Sequence, residues 1–190
     1  MEKKYHIILS SNSPRRKELL AGLDIDFEIY VIKGINETYP QNIPVTSIAE
    51  YIATEKANAY SILLNDENLI ITADTVVILN GEVMGKPKNL DEARSMLHLL
   101  SGNTHQVITG VCLTSIEKQK HFSVTTNVTF KDLTDEEINY YVDQYKPLDK
   151  AGAYGIQEWI GYIGVKSING SYFNVMGLPV QRIYEEIQHF

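Results

Sequence analysis

Four short stretches of this chain carry residues able to work on a phosphate. The first is Ser10-Ser11-Asn12-Ser13-Pro14-Arg15-Arg16, directly after the apolar run Tyr5–Leu9. Ser13 suits an N-cap and Pro14 the first helical position, where a missing N–H costs nothing. A helix start flanked by hydroxyls and two guanidinium groups is an anion site. The same residues also make an ordinary capped surface helix. The second stretch is Asp74-Thr75, a carboxylate at the end of the apolar run Leu69–Ala73, where α/β sheets open toward ligands. A capping aspartate is the plainer reading. The third, Gly85-Lys86-Pro87-Lys88, puts two lysines on a tight loop. It is not a P-loop, because the step from Gly81 to Gly85 is one residue short and Pro87 replaces the required Ser/Thr. The fourth runs from Leu148 through Asp149-Lys150-Ala151-Gly152-Ala153-Tyr154-Gly155-Ile156 to Gln157. Its small residues let backbone approach a ligand closely, and the Gln157 amide can read a base edge by paired hydrogen bonds. Taken alone, it reads more plainly as a tight turn between helix and strand. Lys56, in Thr54-Glu55-Lys56-Ala57, is either a further cation for such a site or half of an exposed charge pair.

The elements needed to position these residues follow from local signals. An apolar strand over Tyr5–Leu9 leads into a helix from Arg15 to Ala21, with Leu19, Leu20 and Leu23 inward and Gly22 ending it. Phe27–Ile32 reads as a second strand, and Lys33–Val45 as a loop. Ser47 and Glu50 suggest a capping box for a helix to about Leu64. A buried strand Leu69–Ala73 ends at Asp74. Val76–Leu79, the turn Asn80-Gly81 and Glu82–Met84 form a hairpin. Asn89 with Glu92 starts a helix with Leu90, Ala93, Met96, Leu97 and Leu100 inward. Gln106–Thr114 and His121–Phe130 are long strands joined around Glu117–Lys120. Thr134 and Glu137 box a helix with Ile138, Tyr141, Val142 and Tyr145 on one side, Gly152–Gly164 carries a further strand, and Pro179 opens a last helix to Ile187. Interleaved helices and strands with both crossovers and hairpins predict an α/β fold with a mixed, twisted sheet flanked by helices.

Composition narrows the function. The chain has 190 residues, 44% of them hydrophobic, enough for one domain over 1–190, whether a single body or two lobes around a cleft. A net charge of −7 argues against a general polyanion surface, so any phosphate chemistry relies on local cations. No basic–aromatic stripe suggests a nucleic-acid polymer as partner. The single cysteine, Cys112, excludes an internal disulfide and a multi-cysteine zinc site. Histidines 6, 98, 105, 121 and 189 show no H-E-x-x-H spacing, and no G-x-S-x-G elbow is present. Apolar runs are too short to span a membrane, and no signal peptide is visible. A soluble cytoplasmic protein is expected.

Taken together, Ser11-x-Ser13-Pro14-Arg15-Arg16, Glu55-Lys56-Ala57, Ala73-Asp74-Thr75-Val76-Val77, Gly85-Lys86-Pro87 and Asp149 through Gln157 resemble the Maf family of nucleoside triphosphate pyrophosphatases, historically linked to septum formation. The resemblance spans about Ile7 to Ile187, with the blocks in family order. It implies a fold similar to the inosine triphosphate pyrophosphatases (Maf/Ham1-like), with two lobes around a cleft and usually a homodimer. It also implies a nucleoside triphosphate diphosphatase using Mg²⁺ or Mn²⁺. On the matched positions, Asp74 corresponds to the proton acceptor; it either takes the proton of the attacking water or holds the metal that polarises it. Arg15, Thr75 and Gln157 correspond to substrate-selecting positions. Ser11, Ser13, Arg16, Lys56 and Lys86 correspond to phosphate binders, and Glu37 to an acidic position near the metal. Thr75 and the Asp149–Gln157 pattern resemble the subgroup acting on dTTP and UTP; whether modified pyrimidine nucleotides are also taken is left open by the residues. There are two departures: Glu158-Trp159 follows Gln157 where many members have glycine, and Asn36 stands where many carry an acid. The competing expectation is a nucleotide-sensing regulator of cell division that binds without turnover.

Overall fold

A computed structural model describes residues 5–190. Among them are strands β1 (His6–Leu9), β2 (Phe27–Ile29), β3 (Asn68–Leu79), β4 (Glu82–Met84), β5 (Thr104–Thr114), β6 (Gln119–Phe130) and β7 (Val165–Asn169). The helices are α1 (Pro14–Ala21), α2 (Ile48–Ala59), α3 (Leu90–Leu100), α4 (Asp135–Tyr145), α5 (Trp159–Gly164), α6 (Tyr172–Met176) and α7 (Val180–Gln188). The strands form one mixed sheet in the order β2-β1-β3-β5-β6-β7, with β4 paired to β3. This is the helix-flanked mixed α/β architecture that the alternation of elements predicts. The chain divides into two compact units. Of the described residues, one holds 5–74, Thr109–Val124 and Gly177–Phe190; the other holds Thr75–Ile108 and Thr125–Met176.

In the first unit β1 lies parallel between β2 and β3, Ile7 registering with both Phe27 and Leu69. A parallel pair needs a crossover, and α1 supplies it between β1 and β2. Ile7, Ile8, Leu9 and Leu69–Ile71 are buried, as strands covered on both faces must be. Helix α2 buries its small residues Ala53 and Ala57 with Cys112, which lets it lie close to the sheet. Thr72 Oγ1 donates to the Ala53 carbonyl across 2.7 Å. That close seating brings Lys56, one residue before Ala57, to the sheet.

In the second unit α3 and α4 bury Ala93, Leu97, Leu100, Ile138, Tyr141 and Val142 with Phe130 and Tyr154 of the same core. Both helices start as their sequences predict. The Asn89 side chain accepts from Glu92 N–H at 2.8 Å. Thr134 and Glu137 make a reciprocal capping box. The β3–β4 hairpin turns through Asn80 and Gly81, both at positive φ, the geometry that a two-residue turn of opposite hand requires.

The structure departs from the local reading in five places. Strand β2 stops at Ile29 rather than Ile32: Ile29 and Tyr30 are exposed, so there is little to bury by extending an edge strand. Ser47 forms no capping box. It closes a 3-10 turn, Val45–Ser47, and already has helical dihedrals (φ −96°, ψ −8°) without a side-chain cap bond, while Glu50 engages His121 instead. Helix α2 ends at Ala59, and a 3-10 turn, Ser61–Leu63, follows. Asp74 does not end its strand, because β3 continues through it to Leu79, where Val76–Leu79 are buried and Val77–Leu79 pair with β4. Last, Gly152–Gly164 holds a 3-10 turn, Ala151–Ala153, and helix α5 rather than a strand; β7 begins at Val165. Successive turn bonds, Glu158 N–H to Gly155 O and Gly161 N–H to Glu158 O, wind this segment up.

Candidate active site

The predicted residues of the first unit gather around Lys56. Its ammonium lies 2.8 Å from Asp74 Oδ1 and 2.8 Å from Glu37 Oε1. The Lys56 and Asp74 side chains are 13% and 15% exposed, whereas Glu37 is 55% exposed. Lys56 is therefore no solvated helix-surface pair with Glu55. It is a cation clamped between two carboxylates, one deep and one at the rim. Asp74 reaches this position because positions 74 and 75 are the half-buried step in an otherwise buried strand. Glu37 is brought in by the loop after β2, where Asn36 Oδ1 accepts from Thr38 N–H at 3.1 Å. Asn36 thus shapes the turn that carries the acid rather than supplying one.

The helix start forms as its residues predict. Ser13 Oγ accepts from Arg16 N–H, Ser11 Oγ accepts from Ser13 N–H, and Pro14 opens α1. Arg16 turns back onto the main chain: Nε donates to Gly177 O and Nη1 to Ala73 O, each at 2.8 Å. Burial lowers its pKa from the ordinary value; Asp74 and Glu37 oppose that lowering and Arg15 adds to it. Arginine stays charged regardless. Arg16 therefore does two things. It ties β3 at the residue before Asp74, and it holds fixed positive charge beside that carboxylate.

In the second unit the Lys86 loop and the Asp149–Gln157 segment are joined. Gly152 N–H donates to Gly85 O at 3.1 Å, and Lys86 is exposed next to that contact. Gly152 has φ +67°, and a Cβ there would come within 3.1 to 3.3 Å of the Val77 side chain on β3. Gln157 is half-buried. Its Oε1 is fully buried and has no hydrogen-bond partner among the described residues. A buried orphan acceptor is costly unless a ligand donor completes it. Thr75 is half-buried on β3.

A sequence profile described as Maf-like protein matches residues 6–190. The chain belongs to the Maf family. It is similar to a dTTP/UTP pyrophosphatase of Phocaeicola vulgatus, 63% identical over 97% of this chain and 96% of the relative. A protein of the same description from Parabacteroides distasonis is 61% identical over 99% and 97%. One from Bacteroides thetaiotaomicron is 55% identical over 97% and 96%. Among solved structures, a nucleoside-triphosphatase (dITP/XTP pyrophosphatase) of Mycobacterium abscessus matches with a TM-score of 0.45 at 12% identity, covering 96% of this chain and 94% of that one. That likeness is too slight to add to the Maf assignment.

For this Maf protein the donor set suits a hard divalent cation. Two carboxylates already share one small cation, Lys56 Nζ. Mg²⁺ and Mn²⁺ favour such oxygen ligands, Mg²⁺ using one or two carboxylates plus water and substrate phosphates. No group of three or more His, Cys, Asp or Glu able to hold a metal occurs among the described residues. No helix among the described residues is long and apolar enough to cross a membrane. The sequence named Lys150 and Glu158 but not the contacts they make, and it read Tyr141 only as core. Lys150 and Glu158 form an ion pair of 3.1 Å, and Tyr141, read as core, donates to Glu158. The hint was the charged Asp149-Lys150 step directly before a run of small residues.

Proposed function

We propose that this protein is a single Maf domain over residues 1–190 that hydrolyses dTTP and UTP to the monophosphate and pyrophosphate. It acts in the cytoplasm as a homodimer with Mg²⁺ or Mn²⁺, and modified pyrimidine triphosphates are natural additional substrates for a housecleaning role. The observation carrying this reading is Lys56 clamped between Asp74 and Glu37. Three close relatives described as dTTP/UTP pyrophosphatases support it.

Asp74 and Glu37 would hold a divalent cation, which would supply positive charge for the phosphates and acidify nearby water. Lys56, once released from its carboxylates, donates to phosphate oxygens. Arg15, Arg16 and Lys86 add charge against the growing negative charge of the leaving pyrophosphate. Ser11 and Ser13 accept from the N–H groups of Ser13 and Arg16 and so order the first turn that carries Arg15 and Arg16. Positioning and electrostatics of this kind supply most of the catalysis in phosphoryl chemistry. Removing one such donor costs about 2–4 kcal/mol, roughly 10²–10³ in rate. Asp74 is the catalytic carboxylate, either taking the proton of the attacking water or holding the cation that polarises it, since a metal-bound carboxylate is a poor base. Gln157, with Thr75 and Arg15, selects the base, the orphan Oε1 accepting from it.

Pyrophosphate release from dTTP, UTP, CTP and the purine triphosphates, with wild type and Asp74→Asn, tests the reading. Turnover of dTTP and UTP that disappears in Asp74→Asn, with melting temperature retained, is expected. Near-normal turnover in that variant refutes the role of Asp74. Nucleotide binding without turnover in the wild type transfers the case to a nucleotide sensor.

A further inference from the structure

The second unit carries a buried polar pair that the phosphate chemistry does not use. His105 Nε2 and the Tyr154 hydroxyl share a hydrogen bond of 2.6 Å, and both rings pack edge-on against Phe130. His105 and Tyr154 are buried, and His105 Nδ1 has no hydrogen-bond partner among the described residues. Burial lowers the imidazole pKa and raises that of the phenol, so both partners are neutral at pH 7. Two apolar side chains of the same shape would fill this space without leaving a buried nitrogen unpaired. They would not fix where the Tyr154 ring ends, because ring packing tolerates sliding and a buried hydrogen bond does not.

That fixed point bears on the backbone directly before it. Gly152 (φ +67°) and Ala153 (φ +60°) are successive left-handed residues, and Tyr154 returns to extended geometry (φ −148°, ψ 153°). Alanine resists this conformation because its Cβ crowds the following carbonyl, and such strain persists only where the surroundings over-determine it. Ahead of the turn, Ala153 N–H donates to Lys150 O at 3.1 Å. Behind it stands the Tyr154–His105 bond. Held this way, Gly152 aims its N–H at Gly85 O, 3.1 Å away, and lies against the Val77 side chain with no easy room for a Cβ. Gly85 directly precedes Lys86, and Lys88 N–H donates to Glu92 Oε2 at 2.7 Å. The exposed Lys86 is thus carried on a loop pinned on both sides, on one of them by the strained turn.

We propose that His105 and Tyr154 are positioning residues: they lock the left-handed Gly152-Ala153 turn, which grips Gly85 and so sets Lys86 for the substrate's phosphates. The proposal rests on Lys86 being a phosphate-binding cation, as proposed above. The test pairs amide hydrogen exchange with calorimetric binding of the α,β-methylene analogue of UTP, in Tyr154→Phe, Lys86→Ala and the double variant. In Tyr154→Phe the Gly152 amide should exchange about tenfold faster relative to the Val142 amide of α4, which reports the stability of the unit. The analogue should bind roughly fivefold more weakly to Tyr154→Phe, and the double variant should bind no worse than Lys86→Ala alone, since residues acting through one contact are not additive. Losses that multiply in the double variant overturn the positioning role, as does a Gly152 exchange ratio within about twofold of wild type. Undiminished binding in Lys86→Ala overturns the phosphate-binding reading of Lys86, and the proposal with it, even where the Gly152 amide is released. Should Tyr154→Phe fail to fold, His105→Leu deletes the same hydrogen bond from β5 and carries the same decision.

Discussion

Replacing Lys56 with methionine separates its service to the carboxylates from its service to a substrate. In the protein as folded, the ammonium is 2.8 Å from both Asp74 and Glu37, and Asp74 is only 15% exposed. Breaking a fully buried ion pair costs about 3–5 kcal/mol. Glu37 is half in water and Arg16 remains beside Asp74, so about 2–3 kcal/mol is the reasoned loss here. For a chain of this size that lowers the melting temperature by roughly 4–12 °C. A divalent cation entering the wild-type site must first displace the ammonium. Lys56→Met removes that competitor, so Mn²⁺ should bind the nucleotide-free variant more tightly, by roughly 30-fold for 2 kcal/mol. Saturating Mn²⁺ should then recover most of the lost stability. Calorimetric titration of Mn²⁺ and thermal unfolding with and without it read both effects. Lys86→Met is the control, since Lys86 lies exposed on its loop, and its Mn²⁺ affinity should match wild type. Equal Mn²⁺ affinities for wild type and Lys56→Met refute the idea that this ammonium holds the place of the metal.

Two further outcomes follow from the second unit. Buried His105, whose Nε2 is 2.6 Å from the Tyr154 hydroxyl, has its pKa pulled down to about 4 by burial. The unfolded chain therefore binds the proton first: stability is full above about pH 6.5, falls as pH drops, and levels off below about 4, for a total of about 3 kcal/mol. Urea unfolding at pH 7 and pH 4.5 should show that slope in wild type and lack it in His105→Gln; equal slopes in the two proteins contradict the assignment. Gly161 of α5 lies against the residue preceding Gln157, and a Cβ there would stand 1.7 Å from Ile156 O. Backbone must shift, so Gly161→Ala should cost about 3 kcal/mol or more and disturb base selection. A melting temperature within a degree or two of wild type contradicts that packing.

What could be read from the chain alone was whatever is decided within a few residues. Ser13 caps α1 through Arg16 N–H, Thr134 and Glu137 box α4, Asn89 caps α3, and Asn80-Gly81 turns the hairpin, each within three or four positions. Such bonds form as soon as the local backbone does, so residue type and spacing suffice to predict them. The same locality misled where a distant contact prevailed. Glu50 left its expected cap for His121, 71 residues away, and Asp74 became mid-strand because Val77–Leu79 found β4. The matched blocks named the residues around the site without saying what each one touches. Tertiary structure alone determined that Lys56 closes on Asp74, that Arg16 spends two donors on carbonyls 57 and 161 residues away, and that Tyr141 ties Gly155 to Glu158. A charged side chain takes whichever counter-charge or carbonyl the packed fold brings within 3 Å, and that distance is fixed by how α2 and β3 seat on each other, which no spacing along the chain records.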